Sequence, residues 1–100
     1  QALYREHRYE AAAMMAWSAA EAIFRRVAKA NGLEAERTSS GSVLKQLYAS
    51  GLIDADQYGV FSRTMEFRNA FAHGFTASVA PETIHRFMHD VEELKSRSAA

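Results

Sequence analysis

The sequence predicts an all-α domain, a four- to five-helix up-and-down bundle. Three observations carry that expectation. Apolar residues recur at three- and four-residue steps in each long segment, as one face of a helix requires. No stretch sustains the period-two alternation of a half-buried strand. The connections between the helical segments are short and built from Gly, Ser, Asn and Asp, which suits helices packed on their sequence neighbours. No internal repeat or linker divides the chain, so residues 1–100 read as one domain.

Composition agrees with a folded domain. Aliphatic and aromatic residues make up 48% and charged residues 24% of 100, too apolar for a disordered chain and enough for one modest core. Lys plus Arg equals Asp plus Glu at 12 each. The molecule has no net field to draw it onto nucleic acid or an anionic membrane, so any RNA contact must rest on a local cluster of charge. Cysteine is absent, which removes disulfides, thiolate nucleophiles and Cys-based zinc sites. No apolar run approaches the ~18 residues of a membrane span, and no signal peptide is visible. A cytoplasmic protein without a membrane partner is the expectation. The chain opens on Gln1 almost inside a helical pattern, which fits a domain cut from a longer protein, or a chain whose first residues are disordered.

Residues 3–31 read as one long helix. Ala13, Trp17, Ala20, Phe24 and Val27 mark its core stripe, and Asn31-Gly32 is a suitable stop. Ala12, Ala16, Ala19 and Ile23 line a second face with small side chains. Between Ala11 and Phe24 only Ser18 and Glu21 are polar. A helix apolar nearly all round is buried on more than one side, so one face is expected to meet the bundle and the other a second copy of the chain.

Residues 33–41 are polar, with Thr38-Ser39-Ser40-Gly41 as loop and cap. A short helix follows, presenting Val43, Leu44, Leu47 and Tyr48 on one face, and Gly51 ends it. Asp54 is a good N-cap for a third helix running to about His73. Its apolar rows are Val60, Thr64, Phe67, Phe71 and Phe61, Met65, Ala72, and Gly74 is its C-cap. Phe75–Ala80 form a loop. Pro81 opens the last helix, where its missing N–H costs nothing, and Ile84, Phe87, Met88, Val91 and Leu94 form its buried stripe.

The residues most suited to chemistry lie in Phe67-Arg68-Asn69-Ala70-Phe71-Ala72-His73-Gly74. At ~100° per residue, Arg68 shares the azimuth of Phe61, Met65 and Ala72, close to the core side. Asn69 and His73, at i and i+4, lie on one face. Arg68 and His73 are ~140° apart and flank a face without stacking. At the helix end the positive form of a histidine is favoured by the dipole. A guanidinium, an amide and a titratable imidazole at one helix end form a phosphate-handling group. The same residues also have a plain structural reading, the His as a helix end before glycine and the Arg as an ion-pair partner.

Other candidates are weaker. Glu21 sits at the edge of the core stripe, where a lone carboxylate is costly unless paired. Its partner is either Arg68 across the bundle or Arg25 one turn along. His85 and His89 share a face at i, i+4 but lie opposite the Ile84–Phe87–Val91 stripe, which reads as a solvated face and not as a metal site. Trp17 and Phe24 read as core. Arg25-Arg26 with Lys29 makes a small basic cluster at a helix end, suited to the dipole or to RNA.

The Arg68-Asn69…His73-Gly74 run near the end of a third helix, together with Trp17-Ser18-Ala19-Ala20-Glu21-Ala22-Ile23-Phe24-Arg25 in the first helix and a closing amphipathic helix, resembles the HEPN superfamily and its Arg-x4-6-His motif. The resemblance covers most of the chain. It implies a metal-independent endoribonuclease with no cofactor, in which a ribose 2′-OH attacks the neighbouring phosphate. It implies that His73 acts as general base or acid, that Arg68 holds the phosphate, and that Asn69 orients the phosphate or the imidazole. The unperturbed pKa of an imidazole, about 6.5, suits both proton roles. The resemblance also implies a homodimer with two motifs facing one cleft, RNA as substrate, and the setting of a toxin with its antitoxin or of a defence effector. The alternative it carries is a non-catalytic helical module for dimerisation, RNA binding or regulation of a partner domain, a nucleotidyltransferase partner among the possibilities.

Overall fold

The computed structural model describes residues 2–75 and 78–99, with side chains over 8–75 and 78–97. It is an all-α bundle of four helices: α1 (Ala2–Ala30), α2 (Ser40–Ala49), α3 (Ala55–Ala72) and α4 (Pro81–Ala99). Thr76 and Ala77 of the expected 75–80 loop lie outside the described residues. At 1.5 Å per residue α1 is about 44 Å long, which accounts for the 46 Å long axis of the molecule against 25 and 20 Å across. Among the described residues no helix is long and apolar enough to cross a membrane.

The helix ends fall where short-range chemistry places them. Asp54 accepts from the Gln57 backbone N–H at 2.8 Å while the Gln57 side chain accepts from Asp54 N–H at 3.0 Å, a complete capping box. Ser39 caps α2 by accepting from Ser42 N–H, so Ser40 and Gly41, expected in the loop, belong to the first turn. α1, α2 and α3 each end in the paired backbone bonds of a Schellman motif around Gly32, Gly51 and Gly74.

The core is an aromatic knot. Trp17 and Phe24 from α1, Phe61 from α3 and Phe87 from α4 are all about 1% exposed or less. Their ring centroids are 4.8–6.4 Å apart in stacked, tilted and edge-on pairs, the arrangements that ring quadrupoles favour. Leu44 and Leu47 of α2 and Leu94 of α4 close around it. A smaller cluster of Ala13, Phe67 and Ile84 seals the other end.

The strictly alternating course expected from short connections holds from α2 to α4 and fails between α1 and α2. Ser40, the first residue of α2, lies against Glu21 and Arg25 in the C-terminal half of α1. Leu52, just past its end, lines the same cavity as Val27 and Asn31 at the end of α1. α2 therefore runs in the same direction as α1, and residues 31–39 double back along α1 to allow it. Two left-handed residues make the reversal, Gly32 at φ 74° and Arg37 at φ 59°. Arg25 fastens it, its Nη1 donating to the carbonyl oxygens of Ala35 at 2.5 Å and Thr38 at 2.9 Å. A forked guanidinium can hold two carbonyls of one loop and a helix at once. Arg25→Ala is expected to cost about 1–2 kcal/mol, read as a lower urea midpoint, with faster amide exchange confined to residues 33–39. Unchanged exchange there would show that the loop holds itself.

Met88, Phe71 and Ala72, expected on buried faces, lie outside the core. Met88 is 51% exposed, because the buried stripe of α4 runs Ile84, Phe87, Val91, Leu94 and takes in Asp90 on its far edge. Phe71 and Ala72, the last members of the two α3 rows, are exposed. The cause is length. α2 has 10 residues and α3 has 18, and α2 begins beside Met65, whose Cε lies 3.7 Å from where a Cβ on Gly41 would stand. Beyond Met65 that side of α3 has no α2 to cover it.

Candidate functional site

The uncovered stretch of α3 holds the residues singled out from the sequence. The azimuth shared by Phe61, Met65, Arg68 and Ala72 passes from buried through half-buried to exposed along the helix. Arg68 therefore sits at the rim of the bundle, half-buried. Its Nη1 donates to Asn69 Oδ1 at 3.2 Å, and no carboxylate pairs with it among the described residues. Asn69 and His73 are exposed. His73 is the C-cap, with φ −90° and ψ 8°, and its backbone N–H bonds Asn69 O at 3.1 Å. The imidazole makes no hydrogen bond or ion pair among the described residues.

The helix end is otherwise closed. Gly74 N–H bonds Phe71 O at 3.1 Å and Phe75 N–H bonds Ala70 O at 2.9 Å. This consumes two of the carbonyls that would make a helix C-terminus repel an anion. Gly74 takes φ 79° to do so, a conformation that side chains with a Cβ rarely adopt. What remains open to solvent is a cation, an amide and an imidazole around the last turn. That set can bind a phosphate and move a proton.

Glu21 is not part of this group. Its carboxylate accepts a hydrogen bond from the Ser40 hydroxyl and pairs with Arg25 Nη2 at 3.7 Å, so its partners are the intrahelical one and the start of α2. Arg25 is likewise structural, leaving Arg26 and Lys29 of the basic cluster exposed, the latter 3.6 Å from Glu36. His85 and His89 are both exposed. His89 joins Asp90 and Glu93 in a group whose donor atoms lie within 4.8 Å of one another. The carboxylates already have cations beside them, Arg86 Nε on Asp90 Oδ2 at 2.9 Å and Arg97 on Glu93 at 3.8 Å.

Sequence reasoning missed the surroundings of the site. Phe71 and Phe75 are 41% and 69% exposed on either side of His73. Ala13 of α1 packs with Phe67 of α3, which brings exposed Arg8 and Tyr9, one turn earlier on α1, to the same end of the molecule. The signal was the mismatch in length between the second and third helices, which leaves the last turns of the longer one bare.

The small-residue face of α1 also has a definite place. Ala16, Ala19, Ala20 and Ile23 form one wall of a shallow apolar groove, and Phe87, Met88, Val91 and Glu92 of α4 form the other. Met15, beside it on α1, is 75% exposed.

The fold and the site together define an all-α four-helix domain with an Arg-Asn…His group at one helix end, half-buried at Arg68 and exposed at Asn69 and His73. Compared with protein-family models, with curated proteins and with solved structures, the chain matches none of them.

Proposed function

We propose that this chain is a HEPN-type domain acting as a metal-independent endoribonuclease, in the setting of a toxin or defence effector. The observation that carries this reading is the emergence of Arg68, Asn69 and His73 together on the turn of α3 that α2 leaves bare. In the reaction a ribose 2′-oxygen forms a bond to the adjacent phosphorus as the bond from phosphorus to the 5′-oxygen breaks, leaving a 2′,3′-cyclic phosphate and a free 5′-hydroxyl. A neutral imidazole takes the 2′ proton, and an imidazolium gives one to the departing 5′-oxygen. Two copies of His73 in a homodimer supply one of each. Arg68 binds the non-bridging oxygens and stabilises the charge they gain. Asn69 keeps the guanidinium in place through its Oδ1 and has its amide N–H groups left to donate to phosphate.

The test is incubation of the protein with single-stranded RNA in EDTA. Cleavage with cyclic-phosphate ends is expected, and intact RNA would sink the proposal. The groove between α1 and α4 supports a second reading, a helical module that self-associates without cleaving. That reading predicts intact RNA, together with a dimer in sedimentation that Ala16→Glu or Ala19→Glu dissociates.

A further inference from the structure

Two exposed phenylalanines, Phe71 and Phe75, stand two residues before and two residues after His73 in the chain. Phe71 is rigidly backed. Its ring stacks on Phe67 at 6.0 Å and 28°, and Phe67 is 5% exposed and belongs to the core cluster with Ala13 and Ile84. Phe75 follows the left-handed Gly74, with its backbone N–H fixed on Ala70 O. Phe71 also stands three residues from Arg68, which makes the two neighbours on the helix surface. Going round the last turn, the order is Phe71, Arg68, Ala72, Asn69, His73. Ala72, exposed and small, leaves a shelf in the middle of that strip. Phe71 thus adjoins Arg68 at one edge of the strip, His73 stands at the other edge, and Phe75 is held at the same helix end by its backbone bond to Ala70.

We infer that Phe71 and Phe75 are the base-stacking part of this site, seating an unpaired nucleobase beside the phosphate that Arg68 holds. The inference rests on the ribonuclease reading above and narrows its substrate to single-stranded RNA. Aromatic rings bind bases through their faces, and only a base splayed from a duplex offers one. A ring beside a guanidinium matches the neighbouring base and phosphate of one nucleotide. A protein partner would be matched better by the aliphatic groove between α1 and α4, which lies elsewhere. The chain has no net charge to hold a strand at long range, so stacking contributes a large share of the affinity, and binding is less salt-dependent than for a basic protein.

The probe is a fluorescein-labelled single-stranded 12-mer with 2′-O-methyl riboses, which lack the attacking hydroxyl and cannot be cut. Its anisotropy is followed with wild type, Phe75→Ala, Phe71→Ala and Phe75→Trp, with circular dichroism melts alongside. Each alanine variant is expected to bind about 5- to 150-fold more weakly, the loss that follows removal of one stacked ring. Phe75→Trp is expected to bind at least as well as wild type, and the same strand annealed to its complement to bind poorly. If Phe71→Ala unfolds, Phe75→Ala and Phe71→Leu carry the test. Binding and cleavage by the wild type with unchanged binding by the Phe75 and Phe71 variants would overturn the stacking assignment and leave the ribonuclease reading standing. No binding by the wild type overturns the stacking assignment, and the ribonuclease reading falls with it only if RNA also stays intact in EDTA. A change in sedimentation mass for Phe75→Ala without a change in RNA affinity would assign these rings to a protein contact and also overturn the inference.

Discussion

His73→Ala is expected to lower the rate of RNA cleavage by about 10²- to 10⁴-fold, the range that one positioned proton-transfer group contributes, while leaving the fold intact. The imidazole is exposed and hydrogen-bonded to nothing among the described residues, so its removal should change stability by no more than about 0.5 kcal/mol. Arg68→Ala is expected to fall by about 10²–10³-fold for a different reason, the loss of a cation aimed at the charge of the transition state. Arg68→Lys should recover little of this, because an ammonium cannot both bond Asn69 Oδ1 and present a fork to phosphate. Single-turnover cleavage of a labelled RNA, read beside thermal melts of the same preparations, measures both effects. Full activity in His73→Ala would remove His73 from the chemistry. Lost activity with a melting point lowered by ten degrees would place the effect in the fold instead.

Phe24→Ala is expected to cost about 3–5 kcal/mol, the range for removing a buried aromatic ring from a core that cannot close over the gap. Phe24 touches all three other rings of the aromatic knot, with centroids at 5.8 Å to Trp17, 4.8 Å to Phe61 and 6.4 Å to Phe87, and these come from three different helices. No single helix can shift to fill the space without opening a contact on another. Against a total stability of about 5–15 kcal/mol for a domain of this kind, the variant is expected to sit close to its unfolding threshold. Urea titration followed by the fluorescence of Trp17 gives the value directly, since this is the one tryptophan and it lies in the same cluster. A loss under about 1 kcal/mol would mean that the ring is dispensable and that the aliphatic contacts of Leu44, Leu47 and Leu94 hold the bundle.

Local rules were enough to read the helices from the sequence. Asp54 with Gln57, Ser39, Pro81 and the glycines at 32, 51 and 74 act within a few residues of themselves, and each marks the helix end that its chemistry predicts. The core stripes of Trp17, Phe24, Val27 and of Ile84, Phe87, Val91, Leu94 were equally plain, because burial of one face follows directly from the period of a helix. The Arg68-Asn69…His73 group could be picked out as residue types and placed on one helix end for the same reason.

Tertiary structure decided what a periodicity cannot contain. The direction of α2 depends on Arg25 reaching the carbonyls of Ala35 and Thr38, 10 and 13 residues ahead of it. Nothing in the local pattern around Arg25 distinguishes that role from an exposed basic cluster. The choice of partner for Glu21 followed from the same reversal, which puts Ser40 beside it. The exposure of Phe71, Ala72 and Met88 was likewise out of reach. A helical row reports that a residue is apolar on a given side, but whether another helix is present on that side depends on the lengths and directions of its neighbours. That is why the sequence by itself determined which residues belong to the helices and which stripes form most of the core, whereas only the packing of a short α2 against a long α3 left the last turn of α3 open to solvent.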